Sequence, residues 1–428
     1  MFFVSRFFIL VALLPSLIIA NSGDLLTNQQ MKEVTLKNGL RICLKRTDYE
    51  EGAFVFQMFA MGGYAAAPVA NRPSAAFAGA IAWESGLQDA SSDKIAYELY
   101  QRSLEMNVSI RLFDRVIEAS GLTEDLSYCL ELIHAFFTAP QFTFQGIERV
   151  ISEAKTSFQD HSQETIKDFF LKINTQNWDI LTSLTCEDLK KVKLEQAEAF
   201  FKQAFADPSL FTLILVGDFD FNNATALLEK HLGSIEVCSS APLINPEAPH
   251  FPQGITKREI KGYARNRLAL TRLTFPVIKK ELSSLNFICH ILSARLLDHF
   301  SAVDSQTQFE VQYEFPLFPR LDHIWLIVQF YGPATTIHST TQSTLKIIHQ
   351  LNRLGLSEQE RKSELEISNS CEEDNIYLLS FLSNCYHGGW DSTLIDSKHP
   401  IEIKHKGSEN ILDSYIHLDH YSLISLYP

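Results

Sequence analysis

Apolar and polar positions along the first part of the chain predict strands first and helices afterwards. The segment EVTLKNGLRICLKR contains two alternating runs around Asn38-Gly39, which is the strongest short signal for a β-hairpin. The apolar run AFVFQMFAM is dense enough for the centre of a sheet. Including this run, the predicted strands after the hairpin lie at residues 53–61, 106–113, 116–121 and 210–219.

Helix-like patterns lie between these strands. A run of small apolar residues, SAAFAGAIAWESGL at 74–87, follows the glycine turn Gly62-Gly63. Further helices are predicted at residues 91–104, 123–137, 144–158, 194–205 and 222–232. Strands, then helices, then a returning strand indicate an α+β arrangement in which a sheet packs against helices.

The second half of the chain repeats this plan after a proline-rich linker at residues 236–256. Strands are predicted at residues 264–276, 308–313 and 323–331, and helices at 281–300 and 336–354. The tail HLDHYSLISLYP resembles the end of the helix that precedes the last strand of the first half. We therefore expect two homologous domains, at residues 23–235 and 257–428, the second of which lacks its last strand.

The N-terminus predicts export. Residues 7–19 form an apolar run of secretory-signal length behind a single positive charge, which indicates a signal peptide at residues 1–22. An uncleaved anchor is the alternative interpretation. No later stretch has membrane-spanning length, so we expect a periplasmic or extracellular protein.

Composition narrows the classes of partner and chemistry. The formal net charge of −14, with no basic cluster, argues against nucleic-acid binding, which needs a basic face. The 7 cysteines are scattered and form no C-x-x-C pair, so they indicate neither a disulfide framework nor a zinc knuckle. One or two disulfides remain open.

Several segments, taken in order and spacing, resemble the insulinase/pitrilysin class of inverzincin zinc metallopeptidases. They are VTLKNGLRICLKR, MFAMGGYAAAP, the 74–87 helix, LELIHAFFTAPQF and EQAEAFFKQAFADPSLFTLILVGDF. The resemblance implies that each domain is a mostly antiparallel sheet with helices on one face. It also implies that the two domains together form one half of a clamshell that closes around a peptide.

The same resemblance implies that the catalytic chemistry has been lost. Active members carry H-x-x-E-H on the first helix after the glycine turn, where two His bind zinc and the Glu activates a water. Phe77 and Ile81 stand at the His positions and Ala80 at the Glu position. Neither Phe77 nor Ile81 has a lone pair for Zn²⁺. Phe309, in QTQFEVQ, matches a tyrosine that stabilises the transition state in active relatives.

Other candidate residues are interpreted as structural. Glu84, Glu148 and Glu153 lie near the expected metal site, but without the His pair we expect them to be surface charges, and Arg295 to be a structural charge. His417 and His420 form H-x-x-H, with His399 and His405 upstream, and lack an implied third ligand. Cys385 and His387 could form a nucleophile pair, although a turn after a helix is the simpler interpretation.

These observations predict an exported, non-catalytic homologue that holds no cofactor. It binds extended peptide, pairs with an active homologue that carries the zinc, or does both. Two alternatives stay open: a divergent zinc-dependent endopeptidase with unrecognised ligands, and a structural subunit of an envelope complex.

Overall fold

The strands of the chain form two sheets. The computed structural model describes residues 30–160, 166–182, 184–262, 268–277, 282–303, 307–321, 323–358, 360, 374–388 and 415–428. The predicted signal peptide at residues 1–22 lies outside the described residues. In the described part of the chain, no helix combines the length and hydropathy that crossing a bilayer requires.

The first sheet has six strands in the order β1-β2-β6-β3-β5-β4. They are β1 (Met31–Thr35), β2 (Arg41–Arg46), β3 (Ala53–Met61), β4 (Glu105–Ile110), β5 (Asp114–Leu122) and β6 (Thr212–Gly217). All neighbours are antiparallel except β2 and β6. The predicted hairpin and the central position of β3 are thus confirmed. Asn38 fixes the hairpin turn, because its Nδ2 donates to the carbonyl oxygen of Leu232 at 2.8 Å.

Most helices of the first half cover one face of this sheet. The helices are α1 (Arg72–Ser85), α2 (Ser92–Gln101), α3 (Leu126–Thr138), α4 (Phe144–Asp160), α5 (Ile166–Asn174), α6 (Cys186–Leu189), α7 (Leu194–Ala204) and α8 (Phe221–His231). Side chains of α1, α3, α7 and α8 meet those of the central strands in one apolar core, in which Ile81, Ile133 and Phe201 are fully buried.

The second sheet has five strands in the order β7-β11-β8-β10-β9. They are β7 (Ile255–Ile260), β8 (Leu268–Pro276), β9 (Gln308–Glu314), β10 (Trp325–Pro333) and β11 (Tyr421–Leu426). The helices are α9 (Leu282–Val303), α10 (Ile337–Leu354) and α11 (Asn375–Gly388). Side chains of α9 and α10 share an apolar core with β8 and β10.

The expectation that the second domain lacks its last strand is wrong. The tail forms β11, which lies inside the sheet, parallel to β7 and antiparallel to β8. Its serines made YSLISL look unlike a buried strand, but Ser425 is satisfied inside the sheet by the hydroxyl of Thr271 at 2.9 Å. Among the described strands, the second sheet instead lacks a counterpart of β1.

The two sheets repeat their register as well as their strand order. The nine-residue strands β3 and β8 each carry a polar side chain at the fifth position, Gln57 and Arg272. Each faces a polar partner on the neighbouring strand, Glu118 on β5 and Gln329 on β10. The common register supports the internal repeat that the element order predicts.

One helix from each half crosses to the remaining face of the other sheet. Helix α11 lies on the first sheet, where Leu378 and Leu382 pack into an apolar cluster. The first-sheet members of that cluster are Cys43, Val55, Phe59, Val116, Ile214 and Val216. Helix α5 lies on the second sheet, where Phe170 packs against Leu270, Ile424 and Leu426. As expected, most helices of each half lie on one face of its own sheet. The exchanged helices α5 and α11 cover the second face.

The predicted linker contains no helix or strand up to Ile255, where β7 begins. The sequence pattern did not predict β7. The linker is attached to both halves by hydrogen bonds: Asn245 Nδ2 donates to the carbonyl oxygen of Phe113 at 2.6 Å, and Arg320 Nη1 donates to that of Pro246 at 2.8 Å. It therefore acts as a fixed bridge between the sheets.

The exchanged helix α5 predicts a large effect of Phe170→Ala. Phe170 is 1% exposed, and its ring lies 4.9 Å from the guanidinium carbon of Arg272. Its removal leaves a cavity on the second sheet, and we expect unfolding free energy to fall by about 3–5 kcal/mol in urea titrations. The control Phe144→Ala removes a ring that is 75% exposed, and should change it by less than about 0.5 kcal/mol. Equal effects would contradict the described packing.

Candidate functional site

The glycine turn after β3 places α1 against the edge of the first sheet. A Cβ on Gly63 would lie 2.1 Å from the carbonyl oxygen of Arg111, so only glycine fits this backbone contact. The amide of Tyr64 donates to that same oxygen at 3.0 Å. On the other side of the turn, Arg115 Nη1 donates to the carbonyl oxygen of Gly62 at 3.0 Å. These bonds fix the point from which the chain enters α1.

Helix α1 packs closely on strand β4. A Cβ on Gly79 would lie 2.8 Å from the carbonyl oxygen of Val108, so helix and strand meet backbone to backbone. The end of the helix is held by Ser85, whose Oγ accepts from the amide of Thr143 at 2.9 Å. A helix with this fixed position could carry catalytic groups beside the strand edge.

The three positions that the sequence compares with the family motif occupy different environments on α1. Ile81 is fully buried in the core of the first sheet, and Phe77 packs against that core while partly buried. Ala80 is exposed. Their side chains offer no nitrogen or oxygen donor, and the assignment of these positions to the family motif stays a prediction. In the described part of the chain, no group of three or more His, Cys, Asp or Glu side chains could hold a metal ion.

The acidic residues near α1 are tied to an arginine. Arg149 lies 3.6 Å from Glu84 and forms two hydrogen bonds to Asp93, at 2.9 and 3.0 Å. Burial and the nearby charge of Glu153 raise the pKa of Glu84, although Arg149 opposes this shift. Glu148 and Glu153 are exposed, as expected for surface charges. The cluster is a charge network at a helix end.

The two candidates of the second domain have structural surroundings. Phe309 stacks on Phe300, with ring centres 4.4 Å apart, and packs against the core of the second sheet. Arg295 forms a two-pronged ion pair with Glu360, at 2.7 and 2.8 Å, and donates to the carbonyl oxygen of Gly355. The structure thus gives Arg295 the structural role expected from the sequence.

The histidine and cysteine candidates do not form the sites considered from the sequence. His420 Nε2 lies 2.9 Å from the carbonyl oxygen of Pro252, so the ring is tied to the linker, whereas His399 and His405 lie outside the described residues. Burial raises the pKa of the Cys385 thiol to about 12, opposite to what a nucleophile needs. His387 lies within α11, and its Nδ1 is 2.8 Å from the carbonyl oxygen of Ser383.

The outer edge of β4 is the feature that could bind a ligand. Among the described strands, β4 pairs only with β5. The amide of Arg111 donates to the carbonyl oxygen of Asp114 at 2.8 Å, which makes these two a hydrogen-bonded pair. Because pairs alternate along an antiparallel ladder, the N–H and C=O groups of Met106, Val108 and Ile110 point away from β5. Helix α1 covers part of this row, since a Cβ on Gly79 would lie 2.8 Å from the Val108 carbonyl oxygen and 3.3 Å from the Ile110 nitrogen. Met106 lies nearer the start of the strand.

Comparison with known proteins identifies relatives of this arrangement. Residues 191–366 match the family described as "Peptidase M16 inactive domain". A "Zinc protease PQQL-like" protein of Arabidopsis thaliana is 25% identical over 282 residues, which cover 62% of this chain and 27% of that protein. The chain therefore spans about a quarter of that relative.

Two solved structures are similar over nearly the whole chain. The periplasmic protease PqqL from Escherichia coli matches with a TM-score of 0.74 at 16% identity, over 96% of this chain and 47% of that one. A peptidase M16 inactive domain from Pseudomonas fluorescens matches with a TM-score of 0.75 at 13% identity, over 93% and 98%. The fold is that of one M16 half, and the resemblance stated from the sequence is confirmed.

The close contact between α1 and β4 predicts the sign of the Gly79→Ala effect. An alanine in an open helix position stabilises by about 0.5–1 kcal/mol relative to glycine. Here the added methyl group meets the Val108 carbonyl, and overpacking costs about 1–3 kcal/mol. We expect a net loss of unfolding free energy in urea titrations, and a gain would show that helix and strand are farther apart. On the exposed side of α1, Ala80→Gly should cost about 1 kcal/mol through helix propensity alone.

Proposed function

Because the chain is related to the M16 metallopeptidases and carries their inactive domain, we propose that it is an exported, non-catalytic half of such a protein. It binds extended peptide and pairs with a homologous half that carries zinc. The observation that supports this most directly is the state of α1. The helix is kept in position beside the strand edge, whereas the side chains of Phe77, Ala80 and Ile81 offer no ligand for zinc and no base.

The free edge of β4 supplies the means of binding peptide. An extended peptide can pair with the outward N–H and C=O groups of Met106, before the contact of Gly79 with Val108 and Ile110, as an added strand. Main-chain pairing accepts many sequences, since the side chains of the ligand point above and below the sheet. The central strand β3 has both edges paired and cannot add a peptide in this way.

Pairing with a second half is supported by the comparison with PqqL, a protein about twice as long as the part that this chain matches. The chain matches 47% of that protein, which is described as a periplasmic protease. By analogy, the second half would close the chamber and hold the metal. Zinc is therefore expected in the partner, and this chain would contribute a peptide-binding wall.

Met106→Pro tests the strand-edge proposal. Proline removes the N–H that points outward while leaving the ladder to β5 intact, and edge strands tolerate proline in this orientation. We expect affinity for fluorescein-labelled β-casein, an unfolded polypeptide probe, to fall about tenfold in fluorescence anisotropy, as for loss of one to two hydrogen bonds. Met106→Ala keeps the N–H and serves as the matched control with unchanged affinity.

Three outcomes contradict the proposal. If the wild-type chain shows no saturable binding of β-casein, peptide capture is wrong and a purely structural role is favoured. If Met106→Ala weakens binding as much as Met106→Pro, the contact is made by the side chain. If the purified chain contains stoichiometric zinc and cleaves β-casein in a chelator-sensitive way, the chain is a divergent peptidase. Elemental analysis on the same sample provides the metal content.

A further inference from the structure

A polar cluster lies in the otherwise apolar interface between the first sheet and α11. Asp114 is the first residue of β5, and His387 lies in the last turn of α11. Asp114 Oδ2 and His387 Nε2 are 3.9 Å apart, and the two side chains are 0% and 1% exposed. Neither Asp114 oxygen accepts a hydrogen bond from another described residue, and Nε2 of His387 has no partner among them.

The hydrogen bond on the other side of the ring determines what Nε2 presents to Asp114. Nδ1 of His387 lies 2.8 Å from the carbonyl oxygen of Ser383, which can only accept, so Nδ1 carries the hydrogen. In the neutral ring, Nε2 therefore presents a lone pair. The ring is held in this orientation by Phe59, with ring centres 3.7 Å apart. A carboxylate facing a lone pair at this distance has no attraction to it, whereas one proton between them removes the conflict.

The surrounding charges favour a proton over a metal ion in this gap. Arg111 Nη1 lies 3.9 Å from Asp114 Oδ2, and its Nη2 donates to Glu118. Glu118 also accepts from Gln57 Nε2 at 2.9 Å. The guanidinium of Arg115 contributes a further positive charge that acts on Asp114. Two arginines repel a cation, and a second carboxylate that is already paired with Arg111 is not free to bind one.

The remaining neighbours of His387 bring no further charge. Phe318 approaches the ring at 5.8 Å between centres, and Ser383 donates its hydroxyl to Gln57. Burial raises the pKa of the neighbouring Cys385 thiol to about 12, so it is neutral. The titrating groups that face His387 are therefore Asp114 and Arg111 of the first sheet.

We propose that Asp114 and His387 are a compensating buried pair, here called the proton latch: while α11 is docked on the first sheet, Asp114 takes up the proton on acidification and His387 stays neutral. Burial, with the charge of Glu118, raises the pKa of Asp114 to about 6 against the opposing arginines. Burial and the charge of Arg111 lower the pKa of His387 to about 4, outweighing the bond to Ser383. The closed interface therefore carries one proton between about pH 4 and 6.

The latch makes docking of α11 insensitive to pH. When α11 opens, burial by the helix no longer acts on either group. His387 then returns towards its ordinary pKa near 6.5, and the pKa of Asp114 falls to its ordinary range near 4 or below, because the arginines stay beside it. On acidification from pH 7 to 5, the closed state takes up a proton at Asp114, which favours closure. The open state takes up a proton at His387, which favours opening. The two linkages oppose each other and nearly cancel.

Each single variant should leave one of the two opposing pH dependences of α11 opening. Opening of α11 is measured by amide hydrogen exchange of residues 375–388 in the full chain, corrected for intrinsic rates, at pH 5 and 7. From the cited pKa values, the wild-type opening constant should change less than about threefold between these pH values. In Asp114→Asn it should rise about 20-fold at pH 5, whereas in His387→Gln it should fall about tenfold. The exposed controls Asp89→Asn and His349→Gln should match the wild type.

A second measurement keeps the proposal testable if a variant folds poorly. Exchange of the C2 hydrogen of His387 in the wild-type chain, followed by mass spectrometry, gives the protonation of that ring directly. We expect it to stay neutral down to about pH 4. The proposal is overturned if His387 protonates near pH 6.5, if wild-type opening changes more than tenfold, or if the two variants share one pH slope.

Discussion

The structure depends on one constraint, which is that both sheets are apolar on both faces. Strand β3 is buried along nearly its whole length, and β8 and β10 are buried in the same way. A sheet of this kind needs two covering layers, and among the described residues each half of the chain covers only one face of its own sheet. The second layer is borrowed: α11 covers the first sheet and α5 the second. The two halves are therefore parts of one folding unit, held by burial of apolar surface on both sides.

Under the proposed function, this dependence explains how the fold of a peptidase half is kept without its chemistry. The buried side of α1, including Ile81, contributes to the core that supports the first sheet. Its exposed side, at Ala80, does not contribute to that core. Phe77, Ala80 and Ile81 therefore lie on a helix that is fixed beside the outer edge of β4, and none of the three side chains carries a donor for metal.

Local patterns predicted much of the fold from the sequence. The Asn38-Gly39 turn, the dense apolar run of β3 and the order of elements were sufficient for two repeated α+β units. Strand β11 was missed because two serines interrupt its apolar pattern, and the hydrogen bond that satisfies Ser425 inside the sheet depends on a distant residue, Thr271. The exchange of α5 and α11 could not be foreseen either, since no periodicity within a helix says which sheet it will cover. The pairing of Asp114 with His387 is a consequence of that exchange. The only sequence signal for a polar interface was the presence of Gln57 and Glu118 in the middle of apolar strands.

The exchange of helices also sets an order for synthesis on the ribosome. The last strand of the first sheet ends at Gly217, but the helix that covers its second face begins only at Asn375. During translation of the intervening chain, the first sheet has an uncovered apolar face that invites wrong contacts. The nascent protein is therefore prone to aggregate throughout this interval, and a chaperone that shields exposed apolar surface would have its greatest effect then.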